Sequence, residues 1–173
     1  MAIKKGLPAF NLKNANVVIL GTFPGELSLC KQEYYANSGN QFWALLGIKE
    51  NDYKVKTKAL KEKGIGLWDV IASCERDGSL DKNIKNEKYN NLSELRGKMV
   101  LFNGAKAYKY YSKAVKVCGY EPFAEDKIFV LPSSSPACSV AKKDKQKQRN
   151  SKNQSVSEMA FFVTNCKGMG PIK

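Results

Sequence analysis

The side chains available for chemistry in this 173-residue chain are amides, carboxylates, hydroxyls, phenols and thiols, because the sequence contains no histidine. That absence excludes Ser-His-Asp and Cys-His nucleophilic sites, imidazole acid–base catalysis and His-ligated metals. The five cysteines are scattered without a CxxC pair, so zinc-ribbon and iron–sulfur spacings are absent too. We therefore expect chemistry that runs on Asn, Asp, Glu, Tyr, backbone amides or the substrate itself, with no metal and no other cofactor.

The residues best suited to bind a ligand lie within the stretch 17–43. Its turn 21–25, Gly-Thr-Phe-Pro-Gly, is stiff at the proline, while Gly25 permits backbone geometry closed to other residues. Two adjacent tyrosines, the polar turn 36–40 and a Phe-Trp pair follow. A rigid turn, an aromatic pair and an amide-bearing turn could together form a pocket for a flat heterocycle. Packing of the aromatic residues in the core is the alternative.

Three apolar runs are placed to bring polar loops together. Each is typical of a strand and ends in a polar turn; the runs are 17–20, 99–102 and 128–131, and the loops after them are 21–25, 103–104 and 132–138. The carboxyl ends of parallel strands share one edge of a sheet, and ligands bind there in open α/β folds. We therefore expect the three loops to contribute to one site.

Helical patterns separate these runs. The first begins near Phe42 and ends at Gly47, and the second covers 54–63. The third follows Gly104 as far as Gly119, and the fourth begins at Ser155. Residues 64–71 are predicted as a strand or a strand-to-loop passage, and 74–90 as a polar loop after a basic lead-in over 1–16. Strands alternating with helices predict an α/β fold, a three-layer α/β/α sandwich with a central, mainly parallel four-stranded sheet, in a single domain of residues 1–173.

The charge balance favours a polyanionic partner. Lys and Arg number 29 against 16 Asp and Glu, a net charge of +13, which suits DNA, RNA or a phosphate-rich membrane surface. The basic tract 142–149 is a candidate phosphate-binding segment, with a solvated helix face as the alternative. The polar first residues and scattered cysteines predict a monomer in a reducing intracellular compartment, the cytoplasm or a nucleus, with no membrane partner.

A resemblance to a known family sharpens these expectations. Gly-Thr-Phe-Pro-Gly, then Ser-Leu, then Tyr-Tyr-Ala-Asn-Ser-Gly-Asn-Gln-Phe-Trp is similar to the first motif block of the uracil-DNA glycosylase superfamily. It is most similar to the hypoxanthine-DNA (deoxyinosine) glycosylase branch. The segments 64–69 and 102–108 resemble the middle blocks of that branch, and Leu-Pro-Ser-Ser-Ser-Pro at 131–136 resembles the second motif, which enters the DNA minor groove. The resemblance extends from about Gly6 to Lys143.

The resemblance implies a monofunctional glycosylase that flips a deaminated base out of double-stranded DNA, hydrolyses its N-glycosidic bond and leaves an abasic site. By position it implies catalysis by Asn40, base binding by Tyr35 and Asp69 with Phe23 in the turn beside them, and DNA binding by Ser133, Ser134 and Ser135. Asn103 ends a strand on the same edge and is expected to contact the base or a phosphate, and Lys142 and Lys143 of the basic tract are expected to bind DNA phosphates. A carboxylate at Asp69 could accept the N1–H of hypoxanthine, which adenine lacks.

Simpler roles remain open for these residues. Tyr35 could be a core residue, Asn40 a helix cap, Asp69 a surface or capping residue, and Asn103 a turn residue with Gly104.

The chain departs from the family pattern at three places. Phe23 stands where the superfamily has an Asp or Asn that orients water, and this difference favours the hypoxanthine branch. Asn37-Ser38 replaces the usual His-Pro, and Cys138 replaces an Asn after the second motif. The rival interpretations are a uracil or mismatched-thymine glycosylase, and a catalytically inactive nucleic-acid-binding module on the same fold. No lysine near the motifs is suited to catalysis, so strand cleavage is not expected.

Overall fold

A computed structural model describes residues 2–136 of the chain. The strands are β1 (Ile3–Lys5), β2 (Val17–Gly21), β3 (Ile65–Asp69), β4 (Ile71–Glu75), β5 (Lys85–Tyr89), β6 (Met99–Asn103) and β7 (Ile128–Leu131). The α-helices are α1 (Glu26–Lys31), α2 (Phe42–Leu45), α3 (Tyr53–Glu62) and α4 (Ala105–Cys118). The last predicted helix, the basic tract 142–149, Lys142 and Lys143 lie outside the described residues.

The central sheet has four parallel strands in the order β3-β2-β6-β7. All five residues of β2 are buried, because this strand is paired on both sides and covered on both faces. The predicted strands at 17–20, 99–102 and 128–131 are all in this sheet and all parallel, so that prediction is confirmed. The stretch 64–71 supplies the fourth strand, β3, and the first residue of β4.

Alternate residues of the sheet face two separate cores, because side chains along a strand point to opposite faces. On one face Ile19, Leu67 and Leu101 pack with Phe42 of α2 and Leu60 of α3. On the other face the neighbouring residues of the same strands, such as Leu20 and Phe102, pack with Ala107, Tyr111 and Ala114 of α4. Burying each large apolar side chain contributes about 1.5–3 kcal/mol. The predicted three-layer α/β/α arrangement is confirmed.

The helix limits follow local signals. Helix α3 begins after Asp52, whose carboxylate accepts hydrogen bonds from the backbone amides of Lys54 and Val55. Helix α4 ends at Gly119, where φ is +68° and a side chain would be strained. Both helices match their predictions to within a residue or two, whereas the helix that begins at Phe42 makes only one turn.

The prediction of a polar loop over 74–90 was wrong in part. Strands β4 and β5 form a second, antiparallel sheet with β1 from the basic lead-in, in the order β1-β4-β5. Strand β5 reads Lys-Asn-Glu-Lys-Tyr, which carries almost no apolar signal, so pairing of its backbone with β4 decides its structure. This small sheet supports the loop 76–84, which reaches the edge of the central sheet. In the described part of the chain, no helix is both long and apolar enough to cross a membrane.

Candidate active site

The main pocket lies at the carboxyl edge of the central sheet and has a volume of about 200 Å³. The turn 21–25 follows β2, Asp69 ends β3, Asn103 ends β6, and residues 133–136 follow β7; all of them line the pocket. The polar segment with Tyr35 and Asn40 closes one side. The sequence-based expectation that three strand-end loops share a site is therefore confirmed.

Gly21 makes room for the carboxylate at the bottom of the pocket. It pairs with Asp69 across β2 and β3, and a Cβ atom at Gly21 would overlap the Asp69 Oδ1 atom. The first glycine of the turn is therefore required for close approach of a side chain, in addition to any demand of the turn itself.

Asp69 is the most perturbed acid of the pocket. Only 4% of the residue is exposed, and its Oδ2 atom has no hydrogen-bond partner among the described residues. The pKa of Asp69 is raised to about 7, chiefly by burial and also by the nearby Asp81 carboxylate, while the Arg76 guanidinium opposes the increase. Near neutral pH this buried group is poised between its two forms, with an acceptor oxygen available to a donor that enters the pocket.

Arg76 braces the turn 21–25 from behind. It is almost completely buried, donates from Nη2 to the carbonyl of Pro24 and from Nε to the carbonyl of Gly78 at 2.9 Å. Its guanidinium lies 4.9 Å from the centroid of the Phe23 ring, a cation–π contact that strengthens when water is excluded. Phe23 is 7% exposed and also packs in a small core, so its predicted contact with a base stays a prediction.

Tyr35 combines a packing role with a place in the pocket. Its ring is stacked on Phe42, with centroids 3.6 Å apart and planes 11° apart, and its φ of +53° is rare for a residue other than glycine. Its hydroxyl accepts a hydrogen bond from Asn103 Nδ2 at 3.2 Å. Burial, and then the Asp69 charge, raises the pKa of Tyr35 well above its usual range, so the phenol stays protonated. Packing and pocket roles therefore coexist at this residue.

Asn103 holds the loop after β7. Its Nδ2 atom donates to Ser134 Oγ at 2.8 Å, and its Oδ1 atom accepts from the Ser134 amide at 2.9 Å. Ser134 is 3% exposed, and its carbonyl accepts from the Gln41 amide at 3.1 Å. Asn103 therefore acts first as a positioning residue, and its contact with a base stays a prediction. Ser133 and Ser135 are half-buried, so they offer more surface to DNA than Ser134 does.

Asn40 lines the pocket and lies just before helix α2, whose N-cap is Gln41. Its Oδ1 atom accepts a hydrogen bond from the Phe42 amide at 3.0 Å, and its own backbone amide donates to the Asn37 carbonyl at 2.9 Å. Asn40 is therefore one residue away from the predicted capping position, and its contact with the Phe42 amide fixes the carboxamide against the pocket. The same contact that supports α2 pre-organises this side chain, so the two roles do not compete.

Two charged residues were missed by the sequence-based reasoning, namely Arg76 and Asp81. Asp81 accepts a hydrogen bond from the side chain of Thr22 and lines the pocket. Neither residue lies in a motif, because the loop 76–84 reaches the pocket only through the antiparallel sheet. One signal was available: Arg76 is one of only three arginines in a chain whose other basic residues are all lysines, and a buried planar cation favours Arg over Lys.

With a parallel α/β sheet and a pocket between its strand-end loops, the chain has the features of an enzyme that binds a ligand at that edge. A sequence model described as "Uracil DNA glycosylase superfamily" matches residues 7–159. The chain belongs to the uracil DNA glycosylase superfamily, as its motifs indicated.

Among its relatives is the hypoxanthine DNA glycosylase of Methanosarcina acetivorans, 40% identical over 146 residues that cover 78% of this chain and 88% of the relative. The hypoxanthine DNA glycosylase of Methanosarcina barkeri is 39% identical over 129 residues, covering 68% of this chain and 81% of the relative. The NMR structure of a candidate uracil DNA glycosylase from M. acetivorans matches with a TM-score of 0.66 at 36% identity, covering 92% of this chain and 98% of the other. The resemblance to the hypoxanthine branch and the fold are thereby confirmed.

Proposed function

We propose that this chain is a monofunctional DNA glycosylase that removes hypoxanthine from deoxyinosine in double-stranded DNA and leaves an abasic site. Two relatives of about 40% identity bear the name hypoxanthine DNA glycosylase, and the superfamily accounts for most of the chain. The pocket is small and accepts a single flat base rather than a base pair, so the target nucleotide must leave the duplex.

The observation that carries the substrate assignment is the unpartnered Oδ2 atom of Asp69 at the bottom of the pocket. A buried acceptor without a partner is costly, and a ligand that supplies a donor removes that cost. Hypoxanthine presents N1–H on its Watson–Crick edge, whereas adenine presents a bare N1 that would face the carboxylate oxygen. The ionised form of Asp69 only accepts hydrogen bonds, so in that form it binds the deaminated base in preference to its normal counterpart.

The ring of the base lies against Tyr35, which Phe42 holds in place from behind. Stacking of a base on an aromatic side chain contributes about 1–3 kcal/mol. That free energy offsets part of the cost of flipping the nucleotide. Phe23 lies in the turn beside it and completes the aromatic lining.

The bond is hydrolysed through a cationic, oxocarbenium-like sugar. The carboxamide of Asn40, fixed by the Phe42 amide, orients water or stabilises the developing positive charge with its carbonyl oxygen. The described residues that line the pocket include no lysine, so none of them offers an amine that could form a Schiff base with the sugar. Strand cleavage is therefore not part of the reaction.

Outside the pocket, we assign contacts with the DNA backbone to Ser133 and Ser135 and to the basic residues Lys142 and Lys143. The net charge of +13 supports this assignment. The enzyme works as a monomer inside the cell. Cys30, Cys74 and Cys118 are free thiols, as expected in a reducing compartment.

Single-turnover excision tests the proposal. Duplexes that contain one deoxyinosine, deoxyuridine, deoxyxanthosine or deoxyadenosine are incubated with excess enzyme, and abasic sites are revealed by alkali. We expect deoxyinosine to react fastest, deoxyadenosine not at all, and no strand break before the alkali step. Faster excision of uracil would favour the uracil-glycosylase alternative, and binding without excision of any base would favour the inactive binding module.

A further inference from the structure

The carboxylate of Asp81 has no role in the reaction described above, although it lies in the same pocket. Asp81 begins a short 3-10 turn between β4 and β5, and its side chain is 25% exposed. The Thr22 side chain donates a hydrogen bond to it, and Arg76 Nη1 lies 4.0 Å from its Oδ1 atom. Because Arg76 also binds the Pro24 carbonyl, Asp81 is tied to the turn 21–25 at two points.

The two pocket carboxylates lie at different depths. Asp69 is 4% exposed, whereas a quarter of the Asp81 side chain is exposed. A flipped nucleotide enters with its base first, while the sugar stays near the mouth because it remains attached to the DNA backbone. We therefore expect the base edge to meet the buried Asp69 and the deoxyribose to lie nearer the more exposed Asp81.

The electrostatics of the pocket favour a positive charge at that level. Its described lining includes three acidic residues, Glu26, Asp69 and Asp81, and no lysine or arginine, in a chain with a net charge of +13. Independently of this charge, Asp69 lines the pocket and its buried Oδ2 atom has no hydrogen-bond partner among the described residues, which favours a ligand that supplies a donor.

We propose that Asp81 is a second catalytic carboxylate, which accepts a hydrogen bond from the attacking water and stabilises the cationic deoxyribose. The inference rests on the proposed glycosylase function. No residue of the turn 21–25 has a carboxylate or carboxamide side chain. The contact with Thr22 instead places the carboxylate of Asp81, from the loop 76–84, beside that turn. Arg76 and Thr22 are positioning residues in this arrangement, since they act through Asp81.

The step is balanced without any co-reactant. The C1′–N9 bond breaks, and its electron pair leaves with hypoxanthine, which takes one proton from solvent. A water oxygen forms a bond to C1′, and its proton passes by way of the Asp81 carboxylate to solvent. A positioned carboxylate that activates water in this way serves inverting glycosidases, whose transition states carry similar charge on the sugar.

The test compares Asp81→Asn with Asp77→Asn. Asp77 lies in the same loop, is exposed and does not line the pocket, so its variant makes the same change in charge away from the sugar. We expect single-turnover excision of hypoxanthine by Asp81→Asn to fall by at least about 100-fold, and that by Asp77→Asn to stay within about twofold of the parent.

Affinity separates catalysis from folding and from binding. A duplex whose deoxyinosine carries a 2′-fluorine resists cleavage and reports binding alone. Both variants should bind it as tightly as the parent or more tightly, because each loses a negative charge that repels phosphate. A large loss of rate with undiminished affinity is the signature of an interaction made chiefly in the transition state.

Thr22→Val provides a second route if Asp81→Asn does not fold, since it removes only the hydroxyl that orients the carboxylate. We expect a smaller loss of rate than in Asp81→Asn, and no further loss when the two changes are combined. A parent-like rate in either folded single variant would overturn the role of Asp81 while leaving the glycosylase function intact. Inactivity of the parent on every damaged base would instead refute the glycosylase function itself.

Discussion

Two walls of the pocket differ in how their polar groups are satisfied. The neutral wall is made of Tyr35, Asn40, Asn103 and Ser134, in which Asn103 is hydrogen-bonded to Tyr35 and Ser134, and Asn40 to the Phe42 amide. The charged wall is made of Asp69 and Asp81 with Arg76 behind them, and among the described residues Asp69 Oδ2 and Arg76 Nη1 are buried without a hydrogen-bond partner.

This difference distinguishes polar groups that hold the shape of the pocket from polar groups that could recognise a ligand. Unsatisfied buried polar atoms are rare in folded proteins and cost about 1–3 kcal/mol each, so their presence in one wall points to groups held ready for a ligand. The neutral wall is held by contacts within the protein, whereas the charged wall keeps polar atoms to which a bound ligand would add partners. Changes in the neutral wall should therefore lower stability, and changes in the charged wall should alter the response to substrate and to pH.

Asn40 gives the largest expected effect, because it belongs to the neutral wall by its contacts and to the chemistry by its proposed role. Asn40→Ala should lower single-turnover excision of hypoxanthine by about 10²–10³-fold, with little change in affinity for the 2′-fluoro duplex. A capping role alone predicts a loss of stability of about 0.5–2 kcal/mol and a normal rate in the folded fraction.

Asn91→Ala is the matched control for Asn40→Ala. Its Oδ1 atom also accepts a hydrogen bond from the amide two residues on, but Asn91 does not line the pocket. Thermal melting and excision rates of both variants, with Asn40→Asp as the conservative change, decide the matter. Equal rates in Asn40→Ala and Asn91→Ala would remove Asn40 from the chemistry.

Arg76 tests how much of the charged wall is structural. Arg76→Met keeps the length of the stem but removes one of the two cations that act on Asp81, the other being Lys106, and leaves the Pro24 carbonyl without its donor. Removing one partner of a buried charged network costs about 3–5 kcal/mol, so chemical denaturation should show a marked loss of stability. The exposed ion pair of Arg96 and Glu121 supplies the control, since Arg96→Met should cost at most about 1 kcal/mol. Similar losses in both variants would show that Arg76 is not the brace of the turn 21–25.

The same two walls show what could be read from sequence. Strands β2, β6 and β7 were predictable because each is a continuous apolar run, as parallel strands between two layers usually are, although the edge strand β7 is only partly buried. Helices α3 and α4 were predictable because glycines in a left-handed conformation end them or closely follow their ends. The pocket edge followed from the positions of the loops. Most of the neutral wall was identified too, since Tyr35, Asn40, Asn103 and Ser134 stand in motif positions, although the clamp between Asn103 and Ser134 was not foreseen.

Of the charged wall, only Asp69 was predictable in this way; Asp81 and the Arg76 behind it were not. Arg76 and Asp81 are brought to the pocket by the antiparallel sheet, and β5 has too few apolar residues to be recognised as a strand. Their neighbours Thr22 and Pro24 are more than fifty residues away in sequence. No spacing rule connects such pairs, because tertiary packing alone creates the contact.

Asp69 gives the charged wall a dependence on pH. Its pKa is about 7 in the folded protein, against an ordinary value of 3.8, chiefly because of burial. Between those values the folded state binds more protons than the unfolded state, so the free energy of unfolding should fall as pH rises from about 4 to 7, by at most about 4 kcal/mol. In Asp69→Asn most of this decrease in the free energy of unfolding should disappear. The decrease that remains should come from Asp81, whose pKa is also raised by burial. The urea midpoints of unfolding at pH 4.5 and pH 8 measure this pH dependence of stability. An unchanged pH dependence in Asp69→Asn would assign the effect to another group.

Asn103 gives the smallest expected effect and the sharpest test of the neutral wall. Asn103→Ala leaves the buried Ser134 amide without its acceptor, at a cost of about 1–3 kcal/mol, whereas Ser134→Ala removes only one hydroxyl contact and should cost about 0.5–1.5 kcal/mol. The loss in the double variant should be smaller than the two losses added together, because both changes remove the same contact. If Asn103 only positions the loop 133–135, the excision rate of the folded fraction should fall only because that loop is displaced. The fall should then be equal for hypoxanthine and uracil. A variant of unchanged stability that loses affinity for deoxyinosine alone would instead make Asn103 a base contact, and would move this residue from the neutral wall to the surface that reads the base.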